Sequence, residues 1–170
     1  MFQVGDYVYY ASGGVCRVAD VCYAPLAGMP KDRQYYVLHS LHDANSVMYV
    51  PVNSETVFLR ELLTRQEAMD LLDQIREIAE IDEPNAKLLK VRYTEAMSRH
   101  DPVEWVRVMK TVYGRIHHPA RQTKAQRISD TERAFAADAK RYLYTELSLT
   151  LNVPVSEMEE YIRRHVESIA

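Results

Sequence analysis

The sequence predicts an α+β protein: a small, strongly bent β-sheet or partial barrel first, then an all-α region of about five helices. Three observations predict it. Short runs of β-branched and aromatic residues, separated by turn residues, fill the first 60 positions. The apolar period then changes to the helical one near residues 60–64. Beyond that point helix-start signals recur, each followed by an apolar stripe at helical spacing. Strands grouped before helices imply two units, residues 1–62 and residues 63–170.

In the first unit, Val4, Tyr7, Val8, Tyr9 and Tyr10 surround Gly5-Asp6, and Ser12-Gly13-Gly14 marks a turn. Val15 to Val21 is rich in β-branched residues and reads as a strand. Residues 24–33 hold two prolines and a glycine and read as a loop. Tyr35-Tyr36-Val37-Leu38 is the next strand, and His42-Asp43-Ala44-Asn45 a polar turn. Val47 to Val52 forms another strand, whose Pro51 suits a strand end or a sheet edge because proline donates no ladder hydrogen bond.

In the second unit, Thr64-x-x-Glu67 is a capping box, followed by Ala68, Leu71, Leu72, Ile75, Ile78 and Ala79 on one helical face. Asp82-Glu83-Pro84 ends that helix, with the proline in the first turn of the next, which carries Leu88, Leu89, Arg92, Tyr93, Ala96 and Met97. Asp101-Pro102-Val103-Glu104 starts a third helix bearing Trp105, Val108, Met109, Val112, Tyr113 and Ile116, and Pro119 closes it. Residues 117–128 are a basic connection. Ser129-x-x-Glu132 caps a fourth helix with Phe135, Ala139, Tyr142, Leu143 and Leu147. Pro154 breaks the chain, and Ser156-x-x-Glu159 caps a last helix.

Charge is divided unevenly along the chain. Residues 1–80 carry 6 Lys and Arg against 11 Asp and Glu, a net of −5, whereas residues 86–145 carry 13 against 6, a net of +7. The middle of the chain is therefore suited to a polyanion and the first part to something else. With 47% apolar and 26% charged residues the composition is that of a globular protein. No run approaches the roughly 18 apolar residues of a membrane span, and MFQVGDYVYY lacks the pattern of a signal peptide. Cys16 and Cys22 read as reduced, buried thiols of a cytoplasmic protein.

Nothing in the sequence has the pattern of an enzyme site. Gly13-Gly14 is too short for a phosphate loop, and no serine sits in a nucleophile elbow. His117-His118 lacks acidic or cysteine partners at ligand spacing, so no metal and no cofactor are expected. Trp105 stands in phase with Val108 and Val112 and is expected in the core. The tyrosines of the first unit are expected to pack on the sheet with hydroxyls at its rim. Lys87, Lys90, Arg92 and Arg99 share one helix, Arg107 and Lys110 are neighbours on the next, and Arg121, Lys124 and Arg127 lie in the connection. A handful of such cations gives salt-sensitive binding dominated by the phosphate backbone.

These residues resemble those of the CarD/CdnL transcription regulators, whose first domain is shared with the polymerase-interacting module of transcription-repair coupling factor. The resemblance rests on Val4-Gly5-Asp6-Tyr7-Val8-Tyr9-Tyr10, Gly13-Gly14-Val15-Cys16-Arg17-Val18, Tyr35-Tyr36-Val37-Leu38 and Val47-Met48-Tyr49-Val50-Pro51-Val52. Arg92-Tyr93, Asp101, Val106 to Tyr113, Ile128-Ser129-x-x-Glu132-Arg133, Ala139 and Glu146-Leu147 extend it over residues 2–151. It implies a Tudor-like sheet that binds the RNA polymerase β subunit by adding one strand to a sheet edge. That strand matches residues 46–51, so Val47, Tyr49, Val50 and Pro51 are the implied polymerase contacts. It also implies a helical domain on promoter DNA beside the melted region, with Lys87, Leu88, Leu89, Lys90, Arg92, Arg99, Lys124 and Arg127 as the DNA-facing residues.

The chain departs from that family in two places. Relatives carry a tryptophan wedge early in the first DNA-facing helix, where this chain has Asn85-Ala86-Lys87-Leu88-Leu89, leaving Leu88 or Leu89 as the apolar wedge. Arginines that relatives turn toward polymerase are replaced, and the sheet strand carries Tyr49. The reading is a non-enzymatic cytoplasmic regulator that bridges polymerase and promoter DNA and modulates open-complex stability. It has no membrane and no small-molecule partner. The rival reading is an adaptor with the same sheet module and no direct DNA binding.

Overall fold

A computed structural model describes residues 1–118 and 127–170. The chain divides into two compact units, Met1–Leu62 and Leu63–Ala170. The fold is α+β: among the described residues, a five-stranded antiparallel sheet is followed by five helices. No helix among the described residues is long and apolar enough to cross a membrane.

The sheet is built from β1 (Tyr7–Tyr10), β2 (Gly14–Tyr23), β3 (Gln34–Ser40), β4 (Val47–Pro51) and β5 (Leu59–Glu61), in the order β4-β3-β2-β1-β5. Alternation along the strands sends Val8, Cys16, Val18, Tyr36, Leu38 and Val50 into one core, flanked by Phe2, Met48, Val57 and Leu59. A shift of register between Val18 and Asp20 marks a bulge in β2, which adds twist and bends the sheet. Gly13 permits the turn from β1 to β2 to pass under β4. A Cβ there would lie 2.5 Å from the Met48 methyl carbon, so any side chain displaces Met48. The sequence does not announce β5, since Leu-Arg-Glu is too short to show a period. It exists because β1 offers a second ladder, with Val8, Tyr9 and Tyr10 opposite Glu61, Arg60 and Leu59.

The helical unit contains α1 (Arg65–Gln74), α2 (Ala86–Ser98), α3 (Pro102–His117), α4 (Asp130–Leu151) and α5 (Val155–Ser168). The capping boxes at Thr64 and Ser129 both form, and Asp101 caps α3 with Pro102 in its first turn. The box at Ser156 does not. The last helix starts at Val155, one residue before that serine, and Glu159 instead reaches Lys140 of α4 at 3.0 Å. Pro84 stands just before the α2 cap, which is Asn85.

The first helix is shorter than its apolar stripe. It stops at Gln74, and the chain to residue 81 is held along α3 by side chains one turn apart. Lys110 Nζ donates to the carbonyls of Ile75 at 2.8 Å, Arg76 at 3.2 Å and Ile78 at 2.6 Å. Arg107 Nε donates to the Ala79 carbonyl, and the Ile81 amide donates to Thr111 Oγ1. Gly114 completes the track, because a Cβ there would come within 2.9 Å of the Glu80 carboxylate. Cations at the end of a helix satisfy the orphan carbonyls that water would otherwise take.

Helix α4 is the hub of this unit and packs on α1, α2, α3 and α5. Trp105 is fully buried and stacks, tilted, on Tyr142 with ring centroids 5.7 Å apart, while buried Tyr93 meets Phe135 at 5.5 Å. Glu146 is fully buried, and its carboxylate accepts from the Leu63 amide at 2.8 Å. Thr150 Oγ1 donates to the Leu63 carbonyl, so both backbone groups of that residue are satisfied by α4.

Candidate functional site

The first candidate site is the β4 edge. Among the described residues this strand pairs only with β3, Val47 standing opposite His39, Met48 opposite Leu38, Tyr49 opposite Val37, Val50 opposite Tyr36 and Pro51 opposite Tyr35. Two bonds that close the ladder set its phase: Ser40 N–H donates to the Ser46 carbonyl, and Val52 N–H to the Gln34 carbonyl. Hydrogen-bonded and non-bonded pairs alternate along an antiparallel ladder. Met48 and Val50 therefore direct their backbone groups at β3, whereas Val47 and Tyr49 turn N–H and C=O away from the sheet. Pro51 turns out a carbonyl alone, so the donor row ends there.

Side chains sort the same residues. Val47 is 42% exposed, and Tyr49 and Pro51 are half-buried on the same face. Val50 is 2% exposed and belongs to the core. Val50, one of the implied polymerase contacts, thus has both its side chain and its backbone groups used inside the sheet unit.

The second candidate site is the exposed side of α2. Asn85 accepts from the amides of Lys87 and Leu88 and fixes the start of the helix. Lys87, Lys90 and Arg92 are exposed, and so are Leu88 and Val91, each at 49%. Leu89, by contrast, is 3% exposed and lies inward with Tyr93 and Ala96, one and two turns along. Leu89, named among the DNA-facing residues, is therefore a core residue. Leu88 lies on the exposed side, with Val91 one turn away. A lone valine between two basic residues breaks no pattern, so the sequence gives no signal for Val91.

Ion pairs divide the remaining cations. Arg92 reaches Glu95 at 3.0 Å on the open surface. Arg99, the C-cap of α2, reaches Glu104 at 3.3 Å, and Arg107 shares that same carboxylate at 3.2 Å. Arg99 also lies twelve residues from Lys87, about 18 Å along a helix axis, so it stands apart from the N-terminal cations. Arg107 and Lys110, neighbours as the spacing requires, serve the 75–81 track instead of an open face.

Lys90 and Arg127 meet at one small cavity of about 150 Å³, lined also by Leu89, Tyr93, Arg115 and Glu132. Glu132 sits at its floor, 8% exposed, accepting from the Tyr93 hydroxyl at 3.1 Å and pairing with Arg115 Nε at 2.9 Å. Its other oxygen closes the α4 capping box on the Ser129 amide. Burial and this carboxylate push the Tyr93 hydroxyl well above its ordinary pKa, so it is a fixed donor. One carboxylate thus ties α2, α3 and the start of α4 together. Lys124, with Arg121 and Pro119, lies outside the described residues.

Residues 2–63 match the family model described as the CarD-like/TRCF RID domain. No curated protein matches the chain. The matched span is the sheet unit, and the domain is an interaction module for RNA polymerase in transcription-related proteins.

Proposed function

We propose, from the premise that residues 2–63 are a CarD-like/TRCF RID domain, that this chain is a non-enzymatic regulator that docks on the RNA polymerase β subunit and grips promoter DNA. The observation that carries the reading is the β4 edge, where Val47 and Tyr49 offer an outward ladder that one added strand completes. Backbone bonds supply affinity in such an addition, and the flanking side chains, here Val47 and Tyr49, supply selectivity.

The helical unit supports the second half of the reading. Lys87 and Lys90 stand beside the exposed pair Leu88 and Val91 within the first two turns of α2, and Arg127 joins Lys90 at the cavity by α4. Cations placed around a small apolar projection suit a duplex whose phosphates are neutralised while a base step is pressed from the groove. A protein bound in this way shifts the melting equilibrium by the difference of its affinities for open and closed promoter. The place of action is the cytoplasm, with the polymerase. The ion pairs of Arg92 and Arg99 favour the rival adaptor reading to the extent that they withdraw cations from DNA.

The test is the lifetime of open promoter complexes formed by purified polymerase, challenged with a competitor, with and without this protein. The expected result is a several-fold change that disappears with Tyr49→Pro, a variant that removes an outward donor and leaves the β3 ladder intact. An unchanged lifetime, together with no DNA affinity at low salt, selects the adaptor.

A further inference from the structure

The outer face of the sheet carries a row that the strand-addition reading leaves unused. Tyr7, Arg17, His39 and Val47 stand directly opposite one another on β1, β2, β3 and β4. Opposed residues of a sheet project to the same face, and all four are exposed. The row ends at Val47, one of the two residues whose backbone faces outward from the free edge. At its middle, Arg17 lies across from His39. A guanidinium and an imidazole are thus direct neighbours, and both can donate hydrogen bonds to an anion set between them.

No ion pair holds Arg17 among the described residues, and its guanidinium extends toward Gly5, where a Cβ would lie 4.0 Å away. The acid that shares this face beyond the bulge, Asp20, is engaged with the amide of Val21 at 2.8 Å. Asp6, just before β1, accepts from the amide of Gln3 at 2.8 Å. The first 80 residues are net acidic, 6 Lys and Arg against 11 Asp and Glu, so Arg17 is not part of a general basic surface.

We infer that this row is a second contact of the polymerase-facing surface and takes a carboxylate side chain of the polymerase between Arg17 and His39. The inference rests on the reading that β4 is the docking edge, with which the row is continuous at Val47. A carboxylate matches the forked donors of a guanidinium in two parallel hydrogen bonds. The position lies two strands in from the edge, so the acid belongs to polymerase chain folded over the sheet face and not to the added strand itself.

The test is equilibrium binding to purified core RNA polymerase of the full chain and three variants: Arg17→Glu, Arg17→Gln and Tyr49→Pro. Arg17→Glu is expected to weaken binding about tenfold or more and Arg17→Gln less, with the gap between them shrinking as salt rises. Melting temperature should not move, since Arg17 is exposed. If Arg17→Glu lowers it nonetheless, the comparison is made on Arg17→Gln alone. Full affinity in both Arg17 variants beside loss in Tyr49→Pro overturns this contact and leaves the edge reading standing. Full affinity in all three overturns both. Loss at Arg17 without loss at Tyr49 separates the row from the edge and overturns the inference as stated.

Discussion

The two units present their binding groups in opposite ways. The sheet unit offers backbone: at the β4 edge, Val47 and Tyr49 hold N–H and C=O groups that no side chain supplies, and only a proline at those positions removes the donors. The helical unit offers side chains, and many of its cations are already engaged. Lys110 holds three carbonyls, Arg107 holds Ala79 and Glu104, Arg115 holds Glu132, and Arg99 shares Glu104. A net charge of +7 over residues 86–145 therefore overstates the surface available to a polyanion. Topology tells where a backbone site lies; a cationic site emerges only after its internal ion pairs are removed from the count.

That contrast divides the helical cations into two classes with separable effects. Lys110→Met removes one charged donor and leaves the carbonyls of Ile75, Arg76 and Ile78 without it. The expected cost is on the order of 2 kcal/mol of stability, read as a lower midpoint in denaturant unfolding, with the salt dependence of DNA binding unchanged. An altered salt slope in that variant would move Lys110 to the DNA-facing class.

The converse variant is smaller in stability and specific in binding. Replacing Lys87 and Lys90 together by alanine is expected to leave the unfolding midpoint in place and to lower the slope of log affinity against log salt by about 2, one per phosphate contact. Arg92→Ala and Arg99→Ala are expected to change that slope by less, because Glu95 and Glu104 already hold those charges. Equal effects at all four positions would erase the distinction.

Much of the architecture was legible in the sequence. Capping boxes at Thr64 and Ser129 and the Asp101-Pro102 start are local chemistry, and the structure forms each of them. The burial of Trp105 followed from its phase with Val108 and Val112. What the sequence hid depends on partners distant along the chain. α1 stops at Gln74 although its apolar stripe continues, because Lys110 and Thr111, more than 30 residues away, hold the chain in another path. β5 forms on β1 across some 50 residues. Ser156 and Glu159 have the spacing of a cap, yet Glu159 finds Lys140 of α4.

Cys22 shows the same limit. Both cysteines sit in β2, but only Cys16 faces the core, where burial pushes its thiol up to about 12, while Cys22 is half-buried on the other face. At the candidate sites, alternation placed Val47 and Tyr49 together, but only the register decided that Val50 is spent within the sheet. A run such as Leu88-Leu89 cannot tell which leucine faces out; the packing of Tyr93 and Ala96 decides it.

Residue-resolved amide hydrogen exchange, free and saturated with core RNA polymerase, addresses the β4 edge without altering the chain. In the free protein the amides of Met48 and Val50 are expected to be protected by β3, and those of Val47 and Tyr49 to exchange fast. On binding, Val47 and Tyr49 should slow by orders of magnitude while Met48 and Val50 change little. Fast exchange persisting at Val47 and Tyr49 in the saturated complex would contradict strand addition at this edge.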